Sequence, residues 1–176
     1  MAEIRIKIQD EHVQSALAHL SGKMANLSPV MKIIGEYLVR STDARFSRQG
    51  PAPDGTPWAP LKKSTLARKR SAKILTESGA LRGDIHYMLI GTNGVSVGTT
   101  DRVPYAAIHQ LGGRTPARTI RPVNKKALSW PGAAHPVNSV NHPGSVIPAR
   151  PFLGVSAQDS DTIVGYINRY LEMRGA

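Results

Sequence analysis

The chain has 176 residues, 40% of them apolar and none of them cysteine, with 23 Lys and Arg against 12 Asp and Glu for a net charge of +11. That length and apolar content suit a single domain, residues 1–176, with a core of its own, and the lack of cysteine excludes disulfides, thiolate metal sites and cysteine nucleophiles. No run approaches about 18 consecutive apolar residues, which excludes a membrane-spanning helix, and residues 1–8 alternate charge with Ile instead of forming a signal-peptide core, so synthesis in the cytoplasm is expected.

Glu3–Gln9 sets Ile4, Ile6 and Ile8 against Arg5 and Lys7, the two-residue period of a half-buried strand. Asp10 is placed to cap a helix whose Val13, Ala16, Leu17, Leu20 and Met24 share a face. Ser28 followed by Pro29 predicts the cap and first turn of a longer helix, running to about Phe46 with Val30, Ile33, Ile34, Tyr37, Leu38 and Ser41 along one side. Gly35 within it costs about 1 kcal/mol relative to Ala, which predicts close packing against a neighbour.

Pro51, Pro53, Pro57 and Pro60 then predict a loop in which Asp54-Gly55 turns the chain and Trp58 docks onto a core or a neighbouring subunit. Ser64 is placed to cap a short basic helix reaching Arg70, and a helical turn spans Glu77–Leu81 and closes near Gly83. Asn93-Gly94, between the apolar runs Ile85–Ile90 and Val95–Gly98, predicts an antiparallel hairpin. Pro104 opens a short helix carrying Tyr105, Ile108, His109 and Leu111, which Gly112-Gly113 ends in a left-handed conformation. Arg118–Val123 and Lys126–Trp130 read as a second hairpin turning at Asn124-Lys125, with Pro122 on an edge and residues 131–145 a mobile loop. A final helix from about Asp159 aligns Ile163, Val164, Ile167, Tyr170 and Leu171. The expected class is α+β: an antiparallel sheet packed against the long N-terminal helix and the C-terminal helix, with long Pro-rich loops.

Four short segments occur in a fixed order: Pro53 to Trp58 with Asp54 and Gly55, Leu75 to Leu81 with Thr76 and Gly79, Tyr105 to Gly112 with Ala106, His109 and Gln110, and Pro148-Ala-Arg-Pro-Phe-Leu-Gly154. Together they resemble the phage virion morphogenesis family, the tail-completion proteins of Mu-like and related tailed phages. The resemblance implies a structural protein of the virion, acting at the head–tail junction or the tail end. It also implies assembly as a homo-oligomeric ring, six-fold favoured, against other neck or tail proteins. Asp54, Gly55, Trp58, Leu75, Gly79, Leu81, Tyr105, His109, Gly112, Arg150, Pro151 and Phe152 are then its interface and structural residues. Phe152 and Leu153 are expected between the sheet and the C-terminal helix, with Arg150 held extended by its flanking prolines.

The residues themselves point away from catalysis. His12 and His19 lie seven apart without a third ligand, and His135 and His142 lie in a segment without carboxylates, so no metal site is expected. His109 as a general base needs an orienting carboxylate, for which the motif offers only Asp101; a structural hydrogen bond is the expected role. No nucleophile elbow, phosphate loop or dinucleotide fingerprint occurs, and no enzyme activity and no cofactor are expected.

The charge is unevenly spread. Lys62, Lys63, Arg68, Lys69, Arg70 and Lys73 run without an acid between them, and Arg102 to Gln158 holds seven Lys or Arg and no Asp or Glu. Arg118, Arg121, Lys125 and Lys126 are the expected DNA-facing residues if genomic DNA crosses a ring of this protein. The alternative reading is a basic nucleic-acid-binding module; a hydrolase using His109 is a third and weaker one.

Overall fold

In the computed structural model, residues 11–130 and 134–172 are described; the Ile-alternating segment Glu3–Gln9 lies outside them. Two helices lead the chain, α1 (Glu11–Ala25) and α2 (Ser28–Arg48). The cap of α2 falls one residue earlier than expected, at Leu27, whose carbonyl accepts from Met31 N–H. Asn26 supplies the side-chain acceptor, taking Ser28 N–H at 3.1 Å, so the Ser28 hydroxyl is left to donate to Thr92 O. At the other end Gln49 turns left-handed (φ 63°) and its N–H returns to Phe46 O, which satisfies carbonyls that a helix end otherwise leaves open.

The buried side of α2 holds Val30, Ile34, Gly35, Thr42, Arg45 and Phe46. Against it lies the hairpin of β1 (His86–Ile90) and β2 (Gly94–Gly98), antiparallel with Tyr87 opposite Val97, as Asn93-Gly94 predicts. A Cβ at Gly35 would lie 2.6 Å from the Tyr87 ring, so the glycine is what lets the helix sit this close to the strand.

Short helices α3 (Lys63–Leu66), α4 (Ala80–Gly83) and α5 (Ala106–Leu111) lie in the connections, and α6 (Ala157–Glu172) closes the fold. Ser64 does not cap α3, which starts after Lys62 without a side-chain cap. The turn expected at Glu77–Leu81 moves to α4, because Gly79 takes φ 83° immediately before it. The α+β class holds. Around the C-terminal end of α2 a core cluster of Phe46, Ala52, Trp58, Leu81, Ile85, Val103, Ala106 and Phe152 forms. It contains no α6 residue, so Phe152 is buried within this cluster and not between a sheet and the C-terminal helix.

The helix α6 is held both by polar contacts and by half-buried Ile163, Tyr166, Ile167, Tyr170 and Leu171, with the Tyr166 ring edge-on to Tyr37 at 5.7 Å. Asp159 is its one buried residue, and Val164, expected inward, is exposed. On α1, Leu17, Leu20 and Met24 are likewise exposed, although they share a helical face. This helix is tied to α6 through Lys23 Nζ on Tyr170 O (2.8 Å) and Tyr170 OH on Asn26 O (2.9 Å).

The second hairpin is not as the sequence suggests. Strands β3 (Gly113–Thr115), β4 (Arg118–Ile120), β5 (Val140–His142) and β6 (Ser145–Ile147) pair antiparallel as β3–β6 and β4–β5. From Thr115 to Arg118 and from Ser145 to His142 both strands advance equally, so one register runs through both ladders, and a bridge between Leu128 and Val137 follows farther out. The described residues of 113–147 therefore form one ribbon arm, and the later part of the segment read as a loop, Val140–His142 and Ser145, belongs to its returning strands. Asn124-Lys125 lacks the glycine that a two-residue reversal favours, and Pro116 and Pro143, which have no N–H to donate, mark the gap between the ladders.

Candidate functional site

The segment Pro148–Gly154 is where the separate motifs meet. Arg150 N–H donates to His109 O at 2.8 Å, and the Phe152 and Leu153 N–H groups both donate to Gln110 Oε1 at 3.0 Å. Gln110 Nε2 donates in return to Leu153 O at 2.9 Å, so one carboxamide does for this extended segment what a neighbouring strand would do. The Arg150 guanidinium donates to Ala59 O (2.7 Å) and Pro60 O (3.1 Å), which fastens the Pro-rich stretch, while burial pulls its pKa down. Trp58 Nε1 donates to Pro151 O at 2.8 Å. The Trp58 and Phe152 rings then pack on Phe46 with centroids 5.7 and 5.5 Å away, within the range where tilted aromatic pairs attract.

The remaining motif residues shape the backbone. Asp54 takes Thr56 N–H at 2.9 Å, a bond that lowers its carboxyl pKa and holds the turn at Gly55 (φ 87°). Leu81 is buried in the cluster, and Leu75 packs against it with φ 55°, a conformation few branched residues occupy. Gly112 ends α5 with the positive φ expected (73°) but with ψ 174° in place of the left-handed helical value, a region essentially restricted to glycine, and a Cβ there would meet Ala149 N at 2.8 Å.

Tyr105 and His109 stand together, rings edge to face at 5.9 Å, on the wall of a cleft of about 550 Å³ that Leu61, Leu75, Thr76 and Val146 also line. His109 Nδ1 is buried yet has no hydrogen-bond partner among the described residues. The hydrogen bond expected of this ring, to a loop or a partner backbone, is not made by Nδ1 to any described loop; the His109 backbone carbonyl accepts from Arg150 and its N–H donates to Tyr105 O. Burial first, and the Arg150 charge second, lower the His109 pKa below its usual 6.5, so the ring is neutral near pH 7. Glu77, the acid in the same cleft, is bound by Lys69 at 2.9 Å and by Arg70 N–H, and these contacts hold its pKa down. Among the described residues no three His, Cys, Asp or Glu side chains group as metal ligands.

The basic residues do not join this site. Arg118, Arg121, Lys125 and Lys126 are exposed on the ribbon arm, Arg118 opposite His142 in the ladder.

One cluster went unread in the sequence. Asp159 bonds Arg45 at 2.5 Å, both nearly fully buried, and accepts from Ser41 (2.7 Å) and Tyr37 (2.9 Å). It also pairs reciprocally with Ser156: Ser156 N–H and hydroxyl donate to it, and Asp159 N–H returns to the hydroxyl. Burial alone would raise the Asp159 pKa, but the bonds from Ser156, Ser41 and Tyr37 outweigh it and bring the group to about 2. The Ser-x-x-Asp spacing ahead of an apolar helix is a variant of the capping box and was the available signal.

The fold and the site are those of a small α+β protein held by an aromatic cluster and by side-chain bonds to backbone. Residues 8–172 match the phage virion morphogenesis family, so the chain belongs to that family, whose role is the building of the virion. Neither the curated proteins nor the solved structures provide a match. No helix among the described residues is long and apolar enough to cross a membrane.

Proposed function

We propose that this protein is a non-catalytic structural component of a tailed phage, acting in tail completion or head–tail joining as a closed ring of identical subunits, six-fold favoured. The family match over residues 8–172 carries the reading. Two features support the assembly part. Leu17, Met24, Met88, Ile90 and Leu111 are all exposed, more apolar side chains than a chain working alone needs to leave in water. The buried, unpartnered Nδ1 of His109 at the cleft wall suits a donor brought by a neighbouring subunit or another neck or tail protein. Head-to-tail contacts that repeat must close into a ring or run on as a filament.

Native mass spectrometry and negative-stain imaging of the protein, alone and with purified tails, test this. A closed oligomer in solution or at one end of the tail is the expected result. A strictly monomeric protein that never joins particles overturns it. The alternative, a basic nucleic-acid-binding module, draws on the net charge of +11; it requires duplex binding with sequence preference, which a titration against two unrelated duplexes separates from sequence-independent attraction.

A further inference from the structure

We infer that the ribbon arm is a polyanion-binding limb whose occupant is the phosphate backbone of duplex DNA. The arm carries Arg114, Arg118, Arg121, Lys125 and Lys126, and the acid-free stretch between Arg102 and Gln158 spans all of it. None of its described residues is buried, so it contributes little to the core and presents its charge to whatever lies outside. Corrected pairing lengthens the basic surface beyond the four residues expected from sequence. Arg114 lies opposite Val146 and Arg118 opposite His142 in one register, and residues at even spacing along a strand share a face. Arg118 and His142, direct partners, therefore share one side of the ribbon, and Arg114 stands in the ladder nearer its root.

Among the described residues a second copy of the chain offers no dense acidic complement to this surface. Asp43, Glu77 and Asp159 are already bound by Arg82, Lys69 and Arg45, Asp54 and Asp84 accept from Thr56 and Thr100, and Glu11, Glu36, Asp101, Asp161 and Glu172 are spread over separate parts of the sequence. The complement has to be a dense array of negative charge from elsewhere. Duplex DNA supplies one at every turn, and contacts to it by Arg and Lys carry no sequence preference. Five basic positions against a single exposed indole, Trp130, also fit a phosphate backbone better than a run of exposed bases, which is held by stacking.

The inference needs only the arm, so it stands or falls apart from ring formation. The test is binding of a fluorescent duplex of random sequence to the full chain, followed by anisotropy across a salt series. Three proteins are compared: the parent, an arm variant with Arg114, Arg118, Arg121, Lys125 and Lys126 all changed to Gln, and a control with Lys62→Gln, Lys63→Gln, Arg68→Gln and Arg70→Gln. Circular dichroism and the unfolding midpoint establish that each folds. The expected result is a log–log salt slope that becomes shallower in the arm variant by about 0.9 for each phosphate contact removed, with a smaller change in the control. An arm variant that keeps the parent slope, or a control that alone loses binding, overturns the inference. So does a poly-glutamate of matched charge that displaces the duplex from the parent, since the occupant is then an acidic protein surface.

Discussion

The aromatic cluster around Phe152 and the ribbon arm adjoin at Gly112 and Pro148, and both are rich in Pro and Arg, yet they are opposite kinds of structure. In the cluster Arg150 is buried and spends its donors on Ala59 O and Pro60 O. On the arm Arg114 and Arg118 are exposed, and their guanidinium groups have no hydrogen-bond or ion-pair partner among the described residues. The difference lies in what surrounds each guanidinium. Where aromatic rings exclude water, the guanidinium has to be matched by fixed acceptors; where the backbone ladder alone supports the segment, charge stays solvated and open to partners.

The sharpest way to break this contrast is Phe152→Ala. Removing a fully buried ring from the cluster is expected to lower stability by about 3–5 kcal/mol, read as a drop in the urea midpoint at unchanged slope. An unchanged midpoint would put Phe152 outside the core. Asp159→Ala is the polar counterpart: it strands Arg45 in a buried site, for an expected loss of about 3–5 kcal/mol, and it should loosen α6 first, seen as faster amide exchange over residues 157–172.

A pH series resolves the same contact more finely. Because the Asp159 pKa is about 2 in the folded chain against 3.8 unperturbed, the unfolded chain binds the proton first. The carboxylate therefore contributes its full stabilisation, about 2 kcal/mol, above about pH 4 and loses it as the pH falls toward 2. Arg45 and Asp159 replaced together by Met and Leu should flatten that part of the profile. The smallest effect belongs to the arm. Replacing residues 118–142 by a two-residue Asn-Gly turn should move the unfolding free energy by no more than about 0.5 kcal/mol, and a large loss would show that the arm belongs to the core.

What the sequence could reveal follows the range of the forces involved. The run of α2, the hairpin at Asn93-Gly94 and the tight fit at Gly35 were legible because a helical period, a turn dipeptide and a missing side chain are local signals. Meeting of Trp58, Tyr105–Gly112 and Pro148–Gly154 was legible only through the family resemblance. The arm was misread because its three-residue strands are cut by Pro116 and Pro143 and pair across a long excursion, so no window of sequence contains both partners. Arg45 and Asp159 were missed for the same reason. The apolar face of α1 carried the right period, but periodicity reports that a face seeks cover and not whether this chain provides it.

Gln110 has a mechanical consequence. Its carboxamide grips Phe152 and Leu153 through three hydrogen bonds while Gly112, two residues on, rests against Ala149. Both roots of the arm thus emerge from a single clamped joint. A load on the arm therefore meets these bonds at its root before it reaches the body of the fold. The same clamp makes the arm and the entry to α6 one lever: a tilt imposed at the far end of the ribbon reaches Ser156 and Asp159 with little slack between.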